Sequence, residues 1–488
     1  MAQSKAAPQT FLWHDYETFG THPALDRPAQ FAALRTDADL EILSDPMDWF
    51  CALANDVLPH PGACLVTGIT PQEAQRKGVR EAEFARLVHH EMMEPGTCAA
   101  GYNSLRFDDE FTRNLFYRNL RDPYEREYRN GNSRWDLIDL ARMCYALRPE
   151  GITWPEHESG NPSFRLEDLT AANSISHSGA HDALADVRAT LDLARLLKSR
   201  QPRLFEWALS MRDQKAVIGM LDPLAPEPLL HTSARIPATR GCTSLFLVLA
   251  RMPDRPKSVI AFDLMADPAP LMDEPADTIS DLVFTPAADM PEGIERLPLK
   301  AIHSNKVPMV APEATLRGVD TDRIGLNPER CHAHAERLNA HLEDIRYKVM
   351  EVFTRPPDPE DADPDVMIYS GDFFSNEDRA LMNRVIATPP AQLAAEQWPF
   401  RDPRLVTMLF RFRARNFPET LNAEEARQWD IDRCERLRQP PLHGAPSLQD
   451  LREELHRLRE EANPASPGIG ILDQLEQWYR QLESGCPR

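Results

Sequence analysis

The chain has 488 residues, of which 42% are hydrophobic and 27% charged, a composition typical of a globular protein with more than one domain. Its formal net charge of −21 excludes a uniformly basic nucleic-acid-binding protein but leaves room for a basic track on one face. The strongest apolar run, Leu245–Ala250, is far shorter than the roughly 20 residues that span a bilayer. Met1–Gln9 lacks the apolar core of a signal peptide, so we expect a cytoplasmic protein without a membrane anchor.

The eight cysteines are scattered along the chain and include no C-x-x-C pair. This spacing argues against a structural zinc site, which usually draws its ligands from such pairs. We therefore expect reduced thiols without a structural role.

Up to about residue 200, short strand-like runs alternate with longer helical patterns, which predicts an α/β domain. The strand candidates are Phe11–Trp13, Gln30–Leu34, Cys64–Val66 and Thr97–Ala100. The helix candidates are Glu81–Met93, Asp109–Asn119, Leu137–Leu147 and Asp182–Lys198. Pro202 follows the last helix, so we place the end of the first domain at residue 201.

Residues 202–355 contain short strand candidates, Leu245–Leu249 and Ser258–Leu264, between turns rich in proline and aspartate, which predicts a small β-containing module. Pro356–Asp365 combines prolines with acidic residues and predicts a linker or exposed connection. The last module, residues 356–488, is predicted to be mainly helical. Two apolar stripes at three- and four-residue spacing each predict one buried helix face: Leu448, Leu451, Leu455 and Leu458, and then Ile471, Leu475, Trp478 and Leu482.

The first chemical motif, His14-Asp15-Tyr16-Glu17-Thr18, directly follows an apolar strand-like run. Side chains alternate along a strand, so Asp15 and Glu17 project from the same face. Two carboxylates held that close repel each other unless a cation neutralises them, and Mg²⁺ prefers oxygen ligands. Taken alone, such a pair more often lies on a solvated strand face.

The second motif, Gly101–Asp108, lies where a strand-like run gives way to a helical pattern. An acidic residue at a helix start is often only a cap, because the free amides and the helix dipole favour it there. Asp108, Asp109 and Glu110 therefore compete for any role in metal binding.

The third motif, Ala180–Asp186, opens the last helix predicted in the first domain. Helix positions five apart point about 140° away from each other, so His181 and Asp186 converge only if His181 lies at the flexible helix entrance. Asp182 is a candidate cap for the same helix.

Together, in this order and context, the motifs resemble the DEDDh exonuclease family: Asp15 and Glu17 match its first motif, Asn103–Asp108 its second, and His181 with Asp186 its third. Other runs resemble the bacterial exonuclease I branch of that family: residues 11–33, Ser133–Asp136, Tyr145–Gly151, Ser163–Glu167 and, more weakly, Arg413–Pro418. The resemblance implies an α/β RNase H-like exonuclease domain, then a small β-containing SH3-like module and a mainly helical C-terminal module.

The resemblance also implies an activity: release of 5′-mononucleotides from the 3′ end of single-stranded DNA by two-metal-ion hydrolysis, in DNA repair and recombination. It implies two Mg²⁺ ions, with Mn²⁺ as a substitute, held by Asp15, Glu17, Asp108 and Asp186. Asp15 is the candidate for contact with both ions, and Glu17 is also expected to contact the substrate. His181, whose ordinary pKa lies near neutrality, is implied as the general base. Single-stranded-DNA-binding protein is the implied partner, and we expect a monomer.

The stretch from Arg113 to Arg129 interleaves five arginines with four aromatic residues. Cations can follow a phosphate backbone while rings stack on unpaired bases, so we predict that Arg113, Tyr124 and Tyr128 contact a single strand. The alternative is a solvated helix with packed aromatic side chains.

Two arginines outside this stretch are further candidates for substrate binding. We expect Arg142 to join the same track. Arg165 is similar to a substrate-contacting arginine of the family and could bind a phosphate bidentately, whereas an isolated arginine is more often a surface ion-pair partner.

Two other functions are compatible with the same residues. A nuclease of this fold could act on RNA ends, because the four-carboxylate chemistry does not depend on the 2′ hydroxyl, and matched DNA and RNA oligonucleotides would discriminate. A non-catalytic scaffold could keep the fold and recruit repair proteins through its C-terminal modules, although the intact acidic motifs argue against it.

Overall fold

The computed structural model describes residues 9–177, 182–224, 226–354, 363–442, 444–463 and 466–486. The strands are β1 (Thr10–Thr18), β2 (Pro28–Thr36), β3 (Met47–Ala52), β4 (Val79–Arg80), β5 (Thr97–Gly101), β6 (Ser133–Asp136), β7 (Leu229–Thr232), β8 (Thr243–Arg251), β9 (Ser258–Asp263), β10 (Leu299–His303) and β11 (Met309–Pro312). The α-helices are α1 (Pro61–Thr67), α2 (Pro71–Lys77), α3 (Glu81–Met93), α4 (Asp108–Arg118), α5 (Ile138–Leu147), α6 (Leu166–Ala172), α7 (Ala183–Arg200), α8 (Pro202–Ser210), α9 (Gln214–Met220), α10 (Ala269–Asp273), α11 (Ala276–Phe284), α12 (Pro328–Ala340), α13 (Leu342–Phe353), α14 (Asn376–Ala387), α15 (Arg404–Asn416), α16 (Ala423–Arg438), α17 (Leu448–Glu461) and α18 (Gly468–Ser484). None of the helices in the described ranges is long and apolar enough to cross a bilayer.

The described residues form two compact units. The β1 unit contains those among residues 8–133, 178–188 and 358–488, and the β8 unit contains those among residues 134–177 and 189–357.

The sheet that carries β1 is mixed, with the strand order β4-β3-β2-β1-β5-β6. Strand β1 pairs antiparallel with β2 along its whole length but parallel with β5 only over Thr10–Trp13. Strand β5 ends at Gly101, so the second half of β1 has β2 alone as its strand neighbour among the described pairings. This half, which carries the first acidic motif, therefore faces the turn that follows β5.

Most of the elements predicted for the first 200 residues are confirmed, with boundaries within a few residues. The exception is Cys64–Val66, predicted as a strand but part of helix α1. Pro61 occupies the first turn of that helix and Gly68 ends it with a φ of 72°. A three-residue apolar run carries too little periodicity to separate a strand from a short helix, and the flanking residues decide.

The C-terminal helices of the β1 unit pack through the two predicted apolar stripes. Leu451 and Leu455 on α17 and Leu475 and Leu482 on α18 are buried in one cluster, which also contains Cys64 of α1. The prediction of two buried helix faces is thus confirmed.

The β8 unit is built around a five-stranded antiparallel sheet with the order β10-β9-β8-β7-β11. Strand β8 contains the predicted strand Leu245–Leu249, β9 matches the predicted Ser258–Leu264 except for its last residue, and every residue of β9 is buried. A register shift between Val248 and Ala250 marks a bulge in β8. This small sheet is the β-containing module expected from the sequence.

Part of the predicted exposed connection is buried. Residues 356–362 of Pro356–Asp365 lie outside the described residues, but Asp365 is only 5% exposed. Its carboxylate accepts hydrogen bonds from Arg415 and Arg436. The acidic composition of the segment predicted exposure to solvent. Asp365 can be buried because arginines distant in sequence pair with its carboxylate.

The expectation of reduced thiols is wrong for two cysteines. Cys434 and Cys486 form a disulfide between residues whose Cα atoms lie 5.7 Å apart. Their 52-residue separation gave no local signal, because it is the packing of α16 beside the end of α18 that brings them together. The other six cysteines are buried thiols that form no disulfide in the part of the chain that the structure describes.

Candidate active site

Strand β1 presents Asp15 and Glu17 on one face, as the strand period requires. Asp15 is half-buried and pairs in register with Ala32 of β2, and Glu17 is buried and pairs with Gln30. Between them, Tyr16 points to the opposite face and packs against Phe31 in the core. The rigid core side of the strand thus fixes the direction of the two carboxylates.

The turn after β5 delivers Asp108 to the same place. A Cβ at Gly101 would lie 2.9 Å from the carbonyl oxygen of His14, so only glycine permits this approach to β1. Asn103 adopts the left-handed conformation with a φ of 60°, which turns the chain towards α4. The backbone amide of Tyr16 then donates a hydrogen bond of 3.0 Å to Oδ1 of Asp108.

Helix α7 provides Asp186 in its first turn. Ligand oxygens of Asp15, Glu17 and Asp186 all lie within 4.8 Å of one another. Asp182 is exposed and accepts a hydrogen bond of 3.1 Å from the amide of Ala185, so it acts as the helix cap suggested by the sequence.

The proximity of these carboxylates raises their pKa values. Burial, followed by the charges of Asp108, Glu17 and Asp186, raises the pKa of Asp15 well above its usual range. Burial, then Asp186, Asp108 and Asp182, raises the pKa of Glu17 to about 8. Such mutual repulsion is relieved by a bound cation, and carboxylate oxygens are the ligands preferred by hard divalent ions. The donor set therefore fits a divalent metal site.

The three acidic residues that competed for the second motif have separate environments. Asp108 is the one whose charge acts on Asp15 and Glu17. Asp109 is buried against Arg126, with 2.5 Å between Nη2 and Oδ1. Glu110 pairs with Arg113 at 2.7 Å and accepts a hydrogen bond from the Tyr369 hydroxyl. Asp109 and Glu110 are thus neutralised by partners of their own, which leaves Asp108 for the carboxylate site.

His181, the predicted general base, lies outside the described residues. Its role stays a prediction from the sequence motif. His14, which precedes Asp15 in the chain, lies in the buried part of β1, where burial lowers its pKa to about 4.

The arginine-rich stretch is divided between buried and exposed residues. Arg113 is buried and makes a bidentate pair with Glu127, with distances of 2.8 and 3.1 Å. Arg118 and Arg126 are also buried and pair with Glu81 and Asp109 respectively.

By contrast, Tyr128 is 62% exposed, and Arg129 is exposed beside Glu125. Tyr124 is half-buried and meets the exposed ring of Phe373 edge to face. The ion pairs favour the packed-helix interpretation for Arg113, whereas Tyr128 and Arg129 lie on the surface as a nucleic-acid track would require.

The two other arginine candidates belong to the β8 unit. Arg142 is largely buried, pairs with Asp139 at 2.6 Å and lies over the ring of Phe164. Arg165 has a side chain 65% exposed, with Glu167 3.6 Å away. Of the two, Arg165 is the more accessible to a phosphate.

Sequence reasoning missed a basic patch on the second sheet. Burial, followed by the charges of Lys306, Arg255, Lys300 and Arg235, lowers the pKa of His303 to about 4. This accumulation of cations is unexpected in a chain with a net charge of −21. The spacing of Lys300, His303 and Lys306 was a weak local signal, but the two arginines come from distant turns. Such a patch suits a phosphate backbone.

Comparison with known proteins agrees with both the fold and the site. The family model described as Exonuclease matches residues 12–194, the Exonuclease I SH3-like domain matches residues 212–355, and the Exonuclease I C-terminal domain matches residues 362–482. Exodeoxyribonuclease I of Escherichia coli is 45% identical over 475 residues, which cover 97% of this chain and 98% of the relative. The chain belongs to the exonuclease I family.

Solved structures of the exonuclease I family share the fold. The E. coli enzyme in complex with a dA16 oligonucleotide matches with a TM-score of 0.93 and 44% identity, covering 97% of this chain and all of that one. A structure of SSB/Exonuclease I in complex with an inhibitor matches with a TM-score of 0.88 and 43% identity, covering 97% and 100% of the two chains. This chain is therefore an exonuclease with the three modules of that family, and its acidic cluster makes it dependent on a divalent metal.

Proposed function

We propose that the protein releases 5′-mononucleotides from the 3′ end of single-stranded DNA by hydrolysis that requires two divalent metal ions. The observation that carries the proposal is the cluster of Asp15, Glu17 and Asp186, whose ligand oxygens lie within 4.8 Å of one another and whose mutual repulsion helps to raise the pKa values of Asp15 and Glu17. Membership of the exonuclease I family supports both the substrate and the direction.

Four carboxylates would hold the ions, with Mg²⁺ as the expected metal and Mn²⁺ as a substitute. Asp15, Glu17 and Asp186 offer the clustered oxygens, and Asp108 is held beside them by the amide of Tyr16. When bound, the ions stabilise the negative charge that develops on the phosphodiester during hydrolysis. His181 would accept the proton of the attacking water, as the sequence motif implies.

Single-stranded DNA is favoured as the substrate by exposed groups able to bind phosphates and unpaired bases. In the β1 unit these are Tyr128 and Arg129, and in the β8 unit Arg165 and the basic patch around His303. The related E. coli enzyme has been solved with a single-stranded oligonucleotide. Rings that stack on bases require strands that are not paired.

The cellular role is proposed from the family as well. A solved complex of a relative with SSB supports single-stranded-DNA-binding protein as the partner. We place the protein in the cytoplasm as a monomer that serves DNA repair and recombination.

One gel experiment tests the activity. Single strands labelled at the 5′ or 3′ end are incubated with the protein and Mg²⁺, and parallel reactions contain EDTA. A 3′-label should be released at once as a mononucleotide, whereas a 5′-label should appear in progressively shorter strands. Release of the 5′-label first, or equal degradation of a matched RNA, would contradict the proposal, and no cleavage at all would favour a non-catalytic scaffold.

A further inference from the structure

The turn between β1 and β2, Phe19–Arg27, belongs to the run that resembles the exonuclease I family, yet the proposed chemistry uses none of its residues. It begins two residues after Glu17. The register between the strands shifts here, because Glu17 pairs with Gln30 but Thr18 pairs with Pro28. Such a bulge bends the strands and redirects neighbouring side chains, so the turn can set the direction of Glu17.

Arg27 stabilises the turn through both its backbone and its side chain. Its carbonyl oxygen accepts a hydrogen bond of 2.9 Å from the amide of Phe19. Its guanidinium donates to the carbonyl oxygens of Leu25, at 2.6 Å, and Asp26, at 3.3 Å. The same guanidinium lies 3.5 Å from Glu81 at the start of α3.

Arg27 is itself buried, as is Glu81, so neither group is free to move into solvent. Burying an arginine is costly unless an acidic partner compensates its charge, and here the ion pair with Glu81 links the turn to a helix of the core. Arg118 completes the arrangement by pairing with Glu81 at 2.7 Å.

Asp26 fixes the other side of the turn. Its Oδ2 accepts a hydrogen bond of 2.7 Å from the amide of His22, and its Oδ1 lies 3.4 Å from Nε2 of His60. A Cβ at Gly20 would overlap this carboxylate, at 2.2 Å from Oδ2, so glycine is required there. The amide of His60 donates to the carbonyl oxygen of Phe19 at 2.7 Å.

We propose that Arg27 is a positioning residue for Glu17: it holds the bulge at the end of β1 in the shape that directs the Glu17 carboxylate towards Asp15 and Asp186. The proposal rests on the function proposed above, because it assigns those carboxylates to a metal. Groups that orient metal ligands typically change metal affinity roughly 10–100-fold when removed.

Arg27→Met and Arg27→Lys test the proposal, with Arg118→Met and Arg118→Lys as matched controls. The controls remove or weaken a buried pair with the same acid, Glu81, but Arg118 makes none of the contacts described for the turn. Mg²⁺ binding is measured by calorimetry on each full-length variant without DNA, and melting temperature is measured without metal. Single-turnover cleavage is then measured against Mg²⁺ concentration.

We expect Arg27→Met to weaken Mg²⁺ binding roughly 10–100-fold, with a smaller loss in Arg27→Lys, whose single ammonium keeps the charge but cannot reach all three acceptors. The Arg118 variants should melt earlier while binding Mg²⁺ within about 2-fold of wild type. If Arg27→Met does not fold, the Mg²⁺ affinities of Arg27→Lys and Arg118→Lys are compared instead. Unchanged binding in the Arg27 variants, or equal losses in both sets, would overturn the positioning role. Failure of the wild type to bind Mg²⁺ would instead overturn the proposed function.

Discussion

Two buried charged regions of the β1 unit differ in whether charges of opposite sign are paired. Around Arg113 and Arg126, each buried cation has an acidic partner within 2.8 Å, and the ring of Tyr124 lies against the Arg113 guanidinium. Around Asp15 and Glu17, carboxylates lie within 4.8 Å of one another, and burial together with their mutual repulsion raises the pKa values of Asp15 and Glu17.

This difference separates a structural role from a chemical one. In a buried ion pair, the attraction between the two charges offsets the free-energy cost of removing them from water. Removing one partner leaves the other charge buried and unpaired, which destabilises the fold. A cluster of like charges destabilises the fold unless a ligand supplies the opposite charge, so it marks the place where a ligand is expected. The sequence predicted a ligand-binding role for both regions, and the ion pairs of Arg113 and Arg126 separate them.

The largest effect should come from Asp15→Asn. We expect cleavage to fall below detection while the protein stays folded, because an amide supplies less negative charge to hold metal. Single-turnover cleavage and circular dichroism measure the two parts. Asp182→Asn is the matched control: Asp182 is exposed and caps α7, its charge contributes least to the raised pKa of Glu17, and asparagine caps equally well, so activity should remain within a few-fold of wild type. Metal-dependent activity in folded Asp15→Asn would remove the carboxylate site from the mechanism.

His181→Ala tests the residue that sequence alone assigns as general base. We expect the chemical step to slow by roughly 10²–10⁴-fold with little change in DNA binding. Single-turnover rates at saturating DNA, together with affinity measured in Ca²⁺, separate the two quantities. An unchanged rate would leave His181 with a structural role only.

Arg113→Ala tests the compensated region. Its loss removes the buried ion pairs with Glu127 and Glu110, so we expect the free energy of unfolding to fall by about 3–5 kcal/mol. Denaturant unfolding measures this change, and affinity for single strands against salt should keep its slope. If the salt dependence of single-strand affinity instead fell by roughly 0.7 and stability did not change, the result would support the phosphate contact predicted from the sequence.

Glu17→Gln should stabilise the metal-free protein in a pH-dependent manner. The folded-state pKa of Glu17 is raised to about 8 from an ordinary 4.5, so the folded protein keeps a proton that the unfolded chain has lost. Wild-type stability therefore falls as pH rises between these values, and the glutamine variant avoids that fall. We expect the advantage to be absent below pH 4.5 and to reach a few kcal/mol, on the order of 1.4 kcal/mol per pKa unit, above pH 8. Denaturant unfolding of both proteins in EDTA across this pH range measures the difference in stability. A difference that does not depend on pH would contradict the raised pKa of Glu17.

The smallest effects belong to the exposed end of the arginine stretch. Arg129→Ala should reduce the salt slope of single-strand binding by roughly 0.7 if it contacts one phosphate. Tyr128→Ala should lose roughly 1–3 kcal/mol of binding with the slope unchanged if its ring stacks on a base. Neither change should move the melting temperature, because both side chains are exposed. Affinities equal to wild type in both variants would exclude this surface from the path of the strand.

Local signals in the sequence were sufficient for much of the molecule. The alternation around Asp15 and Glu17, the periodicity of α3 and the leucine stripes of α17 and α18 were read correctly, because each depends on neighbours a few residues away. The order of the acidic motifs likewise carried the family resemblance.

Only the tertiary structure shows the ion pairs and the disulfide that join residues distant in sequence. It placed Asp108 beside Tyr16 of β1 and paired Asp109 and Glu110 with Arg126 and Arg113, which favours the assignment of Asp108 that the family resemblance implied. It also joined Cys434 to Cys486, which nothing in either local sequence indicated. The sequence by itself determined which residue types and periods were available. Only the fold determined which charges are neutralised, because an ion pair or a disulfide depends on distances in space that no local pattern encodes.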